Sequence, residues 1–103
     1  MNITDIRVRR IYKDTRLRAL VSVTIDADLA VHDIKVIEGP ERLFVAMPSR
    51  KDENGVFRDI VHPITPQARA ELEGKILEAY QEYLEKASAE EAIQSSAATS
   101  AQN

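Results

Sequence analysis

Residues 31–64 constrain the fold of this chain more than any other stretch. They hold three apolar runs rich in β-branched and aromatic residues, separated by Gly39-Pro40 and Asn54-Gly55. Proline cannot donate a hydrogen bond to a β-ladder, and Asn-Gly favours the left-handed backbone of a two-residue hairpin loop. The pattern therefore predicts three antiparallel strands joined by short loops.

Two more β-rich runs, residues 3–12 and 17–26, precede this stretch and are predicted to form a hairpin around Asp14-Thr15. In that register the apolar side chains fall on one side of the sheet, and a slip of one residue would invert both sides. The predicted cross-strand partners are Ile6 with Val23, Val8 with Val21, and Arg10 with Ala19. The opposite side is cationic and carries Arg7, Arg9, Lys13, Arg16 and Arg18.

The third strand is predicted over residues 29–37, after a turn around Ala27-Asp28 that pairs Asp26 with Leu29. Because side chains alternate along a strand, this register puts every second residue on the apolar side of the sheet. The residues predicted to lie there are Ala30, His32, Ile34 and Val36.

Centring the last hairpin on Asn54-Gly55 places the basic turn at residues 48–51 opposite Arg58. Arg50 is then opposite Asp59, and Lys51 is opposite Arg58. Like charges that face each other across a ladder repel, so the second pair indicates an anion bound between them. A wider loop, in which these two side chains never meet, is an equally good interpretation.

Thr65-Pro66 predicts the start of a helix, with threonine as the N-cap and proline at the first helical position. Gly74 inside this helix suggests a close approach to the sheet. The predicted buried face consists of Leu72, Ile76, Ala79, Tyr80, Tyr83 and Leu84. The predicted fold class is α+β: an antiparallel meander of about five strands followed by an amphipathic helix on one face. Residues 1–87 form the domain, and residues 88–103 are predicted to be a disordered polar tail.

The 103 residues are enough for one small domain, whose modest core makes dimerisation a natural expectation. The chain has no cysteine, which excludes disulfides and thiolate metal sites. It shows no apolar run long enough to span a bilayer and no leader pattern. We therefore expect a soluble, cytoplasmic protein without a metal, cofactor or small-molecule substrate.

Catalytic candidates are confined to His32-Asp33 and to His62 near Asp59. Neighbouring residues of a strand point to opposite faces, so His32 and Asp33 cannot act as a pair. His32 is better explained as a hydrogen-bonded strand residue, and His62 as a residue at the end of a strand. The sequence does not predict an enzyme.

The net charge of −3 hides an uneven distribution of charge. Residues 1–18 hold six basic and two acidic side chains, whereas residues 65–103 hold three basic and seven acidic ones. Local clustering decides whether a phosphate backbone is attracted, and the arginine fork matches phosphate in a bidentate way. The predicted nucleic-acid-binding residues are Arg50, Lys51, Arg58, Arg7, Arg9, Arg16 and Arg18. The alternative is that these cations are merely solvated.

Base stacking is not expected, since Phe44 and Phe57 do not form the aromatic pair of an RNA-recognition sheet. Contacts to the nucleic-acid backbone and its shape are favoured instead. The rival class is a protein–protein adaptor of the division machinery whose basic face meets an acidic partner.

Three segments, VTIDADLAVHDIKVIEG, LFVAMPSRK and NGVFRDIVHPI, closely resemble the SpoVG (stage V sporulation protein G, septation regulator) family over residues 1–83. The resemblance implies a small sheet-plus-helix protein that forms a homodimer through its sheet. It also implies a regulator that binds DNA and RNA and influences gene expression, septation and sporulation. The family's basic turn after MPS is matched by Arg50 and Lys51, and its FRD arginine by Arg58. Its N-terminal arginines correspond to Arg7, Arg9, Arg10, Arg16 and Arg18.

Overall fold

Alternating apolar residues in the N-terminal half of the chain build an antiparallel sheet, which the C-terminal helix covers on one face. The computed structural model describes the backbone of residues 1–102 and the side chains of residues 1–89. Strands β1 to β4 form a sheet in the order β1-β2-β3-β4, and β5 pairs with β6 in a separate two-stranded ribbon. The elements are β1 (Ile3–Ile11), β2 (Leu17–Ile25), β3 (Leu29–Glu38), β4 (Leu43–Ala46), β5 (Ser49–Lys51), β6 (Phe57–Asp59) and α1 (Pro66–Gln102). The predicted α+β architecture is confirmed.

The first hairpin has the predicted register in its middle and a different one near its loop. Ile6 pairs with Val23 and Val8 pairs with Val21, as predicted. A β-bulge then adds one residue to β1, so that Arg10 faces Leu20 rather than Ala19. Two residues of the bulged strand oppose one residue of its partner, which leaves both Arg9 and Arg10 exposed.

The second hairpin corrects the prediction for β3. Asp26 and Ala27 both adopt left-handed backbone angles, with φ of 53° and 56°, and Leu29 pairs with Ile25 rather than Asp26. Val31 therefore turns into the core, and His32 is exposed. Ala30, which pairs with Thr24 one step earlier along the strand, is likewise exposed, so both residues were predicted on the wrong side.

A bulge in β3 restores the predicted assignment of side chains to the core side further along this strand. Asp33 has φ of 63°, and the pairing advances from Val23–Val31 to Val21–Ile34. One extra residue in β3 inverts the alternation again, so Ile34 and Val36 are fully buried as predicted. The buried residues in the second half of β3 are therefore predicted correctly, although the register at the start of that strand was predicted wrongly by one residue.

The ribbon β5–β6 also departs from the predicted register by one residue. Its loop holds three residues rather than two, since the Asp52 amide donates to the Val56 carbonyl at 2.9 Å and only Gly55 has a positive φ, 80°. A three-residue loop closed by a left-handed glycine is the next most common hairpin connection. Arg50 consequently pairs with Arg58, and Lys51 pairs with Phe57.

The helix begins as predicted, with the Thr65 hydroxyl accepting a hydrogen bond from the Ala68 amide at 3.0 Å. Leu72, Ile76 and Tyr80 are buried against the sheet, whereas Tyr83 keeps 45% of its surface exposed and was wrongly assigned to the core. The core cluster consists of Ala19, Val21, Val23, Val31, Ile34, Val36, Val45, Met47, Leu72, Ile76 and Tyr80.

Gly74 does not pack closely on the sheet, contrary to the prediction. No heavy atom lies within 4 Å of the position that a Cβ would occupy there. Gly39 is the glycine that a close contact requires, because its Cβ would stand 2.8 Å from the Arg42 carbonyl oxygen. The amide of Gly39 donates to that same oxygen at 2.9 Å and closes the turn between β3 and β4.

The predicted disordered tail covers residues 88–103. Its backbone belongs to α1 as far as Gln102, and from residue 90 onward its side chains lie outside the described part of the chain. A separate tail therefore stays a prediction. In the described part of the chain, α1 lacks the continuous apolar stretch that a membrane-spanning helix needs.

Candidate nucleic-acid interface

The ribbon β5–β6 brings two of the predicted cations together. Arg50 and Arg58 are cross-strand partners, and partners in an antiparallel ladder point to the same face. Both residues are exposed. Among the ion pairs formed by the described side chains, none involves Arg50 or Lys51. The predicted pair of Lys51 with Arg58 is therefore wrong, and the alternative of a wider loop is confirmed. The ribbon instead presents two neighbouring guanidinium groups, those of Arg50 and Arg58, on one face.

Asp52 holds the ribbon loop and Arg58 at the same time. Its Oδ1 accepts hydrogen bonds from the amides of Asn54 at 2.8 Å and Val56 at 3.0 Å. Its Oδ2 accepts from Nε of Arg58 at 2.7 Å. The Arg58 side chain, followed by the Val56 amide, holds the pKa of the Asp52 carboxyl below its ordinary value. The loop is therefore fastened by one carboxylate that also orients a cation.

Asp52 was missed by the sequence-based prediction, although a signal for it is present. Aspartate is favoured at the first position of a type I turn, where its side chain accepts backbone amides further along. Asp52 stands at that position before the three-residue loop. Because only Nε of Arg58 contacts Asp52, the two terminal nitrogens of the guanidinium remain available to an anion.

Lys51 lies on the other face of the ribbon, since residues alternate along a strand. Its ammonium is 5.6 Å from the centroid of the Phe57 ring, its cross-strand partner. Phe57 has 67% of its surface exposed. The three predicted cations of the ribbon are thus divided, with Arg50 and Arg58 on one face and Lys51 beside an aromatic ring on the other.

The four N-terminal arginines of the predicted site are bonded to different groups of the protein. Arg7 pairs with Asp5 at 2.9 Å, and Nε of Arg9 donates to the Ser22 hydroxyl at 3.3 Å. Nε of Arg16 donates to the backbone oxygen of Glu38 at 3.3 Å. Each of these three side chains is therefore bonded to a group outside the ribbon.

Arg18 was predicted on the cationic side of the sheet, and this is wrong. It forms an ion pair with the Glu38 carboxylate, in a cleft also lined by Tyr80 and Leu84 of the helix. The cause is a register shift of β2 against β3 between Leu17 and Ala19, which turns Arg18 towards the side that the helix covers. Its charge is therefore neutralised locally.

The two histidines do not form a catalytic arrangement. Nδ1 of His32 lies 2.8 Å from the Ser22 hydroxyl, while no carboxylate is hydrogen-bonded to the other ring nitrogen among the described side chains. Nδ1 of His62 lies 3.0 Å from the Pro63 carbonyl oxygen. The described side chains contain no cluster of three potential metal ligands. Ser22 is 7% exposed, so its bonds to Arg9 and His32 satisfy a polar group that the sheet buries.

Comparison with known proteins places this fold in one family. A family model described as SpoVG matches residues 1–82. A protein from Lachnospira eligens is 59% identical over 87 residues, which cover 82% of this chain and 99% of that protein. Proteins from Desulforudis audaxviator and Clostridium beijerinckii are 52% and 51% identical; the matches cover 79% and 91% of this chain and 92% and 99% of those proteins. All three carry the name "Putative septation protein SpoVG". The chain belongs to the SpoVG family.

Proposed function

We propose that this protein is a regulator that binds the phosphate backbone of DNA and RNA as a homodimer, and that it influences gene expression, septation and sporulation. The observation that carries the proposal is the cross-strand pair of Arg50 and Arg58 on an exposed ribbon. Two guanidinium groups facing each other destabilise an isolated ladder. A phosphate between them would offset that repulsion and offer each arginine a matching acceptor.

The orientation of Arg58 supports the same function. Its hydrogen bond to Asp52 restricts the side chain before any ligand arrives, so less conformational entropy is lost on binding. The hydrogen bonds of Asp52 to the loop amides keep that carboxylate in place. We therefore assign to Asp52 the role of positioning Arg58 rather than that of contacting nucleic acid.

The balance of charge in the ribbon rules out long-range electrostatic attraction as the main source of affinity for nucleic acid. Residues 49–59 hold three basic and three acidic side chains. A uniform positive field is therefore absent, and recognition depends on the short-range geometry of Arg50 and Arg58. We therefore centre the proposed site on Arg50 and Arg58, because Arg7, Arg9 and Arg16 are bonded to groups outside the ribbon. Arg18 is paired with Glu38.

The test is a fluorescence-anisotropy titration of a mixed-sequence duplex over a series of salt concentrations. Replacing Arg50 and Lys51 together by alanine should weaken binding at least several-fold. It should also reduce the magnitude of the slope of log K against log[salt] by about 3.6, at about 0.9 for each of the four phosphate contacts that the homodimer would lose. The matched control replaces Lys75 and Lys86 on the helix by alanine, which removes the same charge.

Two results would contradict the proposal. Unchanged affinity in the Arg50→Ala/Lys51→Ala variant would remove the ribbon from the interface. An equal loss in the Lys75→Ala/Lys86→Ala control would show that net charge, rather than the ribbon geometry, governs binding. Circular dichroism of each variant verifies that the fold is retained.

A second candidate function is a protein–protein adaptor, and one observation favours it. The segment that follows the ribbon loop exposes several large apolar side chains in close succession, an arrangement typical of interaction surfaces. These are Val56, Phe57, Ile60, Val61 and Ile64. A complex that is recovered from cells after nuclease treatment would support the adaptor, whereas a complex that is lost on treatment would support nucleic-acid binding.

A further inference from the structure

The aromatic residues of the chain differ widely in their exposure. Tyr80 is 5% exposed, and Tyr12 and Phe44 are half-buried. Two aromatic rings reach solvent to a larger extent: Tyr83 on the helix at 45% and Phe57 on the ribbon at 67%. A ring on a two-stranded ribbon, away from the main sheet, offers a flat surface that no part of the described core covers.

The surroundings of Phe57 distinguish it from Tyr83. The Lys51 ammonium lies 5.6 Å from the Phe57 centroid, within the range of a cation–π contact. Tyr83 stands between Glu82 and Glu85 on the acidic helix, where a phosphate would be repelled. Of the two exposed rings, only Phe57 therefore combines a stacking surface with a neighbouring positive charge.

We propose that Phe57 is a stacking platform for a base of single-stranded nucleic acid and that Lys51 binds the adjoining phosphate. The proposal rests on the proposed function and specifies its ligand. Stacking on an aromatic side chain requires a base whose face is accessible, which a single strand provides and an intact duplex does not. The two faces of the ribbon then have separate tasks, with base stacking at Phe57 and phosphate binding at Arg50 and Arg58.

Polar groups around the ring favour a base over an apolar protein side chain. An open surface depression beside Phe57 is also lined by Arg58, Asp59 and His62. Carboxylate and imidazole groups can hydrogen-bond the donors and acceptors of a base edge, whereas a purely apolar partner would leave them unpaired. This depression thus combines an aromatic face with polar groups, as a nucleobase requires. The sequence analysis did not expect base stacking, because Phe44 and Phe57 do not form an aromatic pair. The present proposal requires only one ring, that of Phe57.

The test compares a single-stranded oligonucleotide with the matching duplex. Phe57→Leu keeps an apolar side chain but removes the aromatic face. Because stacking of one base contributes about 1–3 kcal/mol, affinity for the single strand should fall about 5- to 150-fold, while affinity for the duplex stays within about twofold. Tyr83→Leu is the matched control for loss of an exposed ring and should leave both affinities unchanged.

Phe57→Trp provides a direct readout of stacking. The chain contains no tryptophan, so this variant carries a single indole that can be excited selectively. We expect it to retain single-strand affinity and to show fluorescence quenching on titration with the oligonucleotide. The same titration with the duplex should leave the indole emission close to that of the free protein.

The outcomes separate this proposal from the one on which it rests. If Phe57→Leu binds single strands as tightly as the parent while Arg50→Ala/Lys51→Ala loses affinity, stacking is refuted and phosphate binding stands. If the parent protein binds neither oligonucleotide, both proposals fail. If Phe57→Leu alters the sedimentation coefficient and weakens both ligands equally, the ring serves a protein contact and stacking is again refuted.

Discussion

The three glycines of the chain should respond to alanine in three different ways, because the structure places each in a different environment. Gly74→Ala is expected to stabilise the protein. The residue is exposed in the helix and a Cβ there meets no atom within 4 Å, so only the gain in helix propensity remains. That gain is about 0.8–1 kcal/mol in the free energy of unfolding. For a domain of this size it corresponds to an increase of roughly 4–8 °C in Tm.

Gly39→Ala and Gly55→Ala are the internal controls and should both destabilise. At Gly39 the new Cβ would lie 2.8 Å from the Arg42 carbonyl oxygen and 3.1 Å from Cδ1 of Phe44. Overpacking of this kind costs roughly 1–3 kcal/mol. At Gly55 the Cβ has space, with Cε of Lys51 at 3.8 Å, but φ is 80°. A left-handed backbone costs an alanine about 1–2 kcal/mol.

Urea denaturation followed by circular dichroism measures all three changes on one scale. The reasoning is refuted if Gly74→Ala lowers the free energy of unfolding. Such a loss would mean that another surface, such as a second copy of the chain, packs against Gly74 in solution. Repeating the measurement at several protein concentrations decides this, since the stability of a dimer depends on concentration.

Two further predictions concern Asp52 and Thr65. The pKa of Asp52 in the folded protein lies below its ordinary value of 3.8, so the folded state binds fewer protons than the unfolded state. The ionised Asp52 therefore stabilises the fold fully above pH 3.8, and this stabilisation is lost as the pH falls through the folded pKa. Asp52→Asn should remove this part of the acid dependence, and a carboxyl-detected NMR titration that gives an unshifted pKa for Asp52 would contradict the assignment. Thr65→Ala removes the hydroxyl that accepts the Ala68 amide and should lower the free energy of unfolding by about 1 kcal/mol, whereas Thr65→Ser should retain most of it in the same denaturation assay.

The outline of the fold could be predicted from hydrophobic periodicity alone. The pairs Ile6–Val23 and Val8–Val21 and the buried helix residues Leu72, Ile76 and Tyr80 follow from period-two and 3–4 spacing. These patterns repeat along several turns or pairs of residues. An error at one position is therefore corrected by its neighbours.

What periodicity could not locate are the places where one residue is added. The bulges at Arg9 and Asp33 and the third residue of the ribbon loop each shift a register by one. Such insertions are decided by backbone angles and by local hydrogen bonds. Asp33 is a non-glycine residue at φ of 63°, and no apolar pattern encodes that conformation. The error at His32 comes from the longer turn before β3, the error at Arg18 from the shift of β2 against β3 between Leu17 and Ala19, and the error in the pairing of Arg50 from the longer ribbon loop.

The same one-residue shifts decide where the cations of the candidate site lie. In the predicted two-residue loop, Lys51 would face Arg58 and Arg50 would face a carboxylate. The three-residue loop instead sets Arg50 against Arg58 and frees Lys51 to approach Phe57.

One added residue in the loop thus places the arginine pair and the lysine–aromatic contact on opposite faces of the ribbon. The ribbon holds as many acidic as basic side chains. Because such a ribbon has little long-range electrostatic field, its affinity for nucleic acid must come from cations that are held in place. Asp52 holds one of them, Arg58, through its carboxylate. It follows that the salt dependence of binding should be set by the ribbon cations alone. Three contacts from each protomer make six contacts in the homodimer, which correspond to a slope of about −5.4 for a duplex, and a much steeper slope would require the N-terminal arginines to take part.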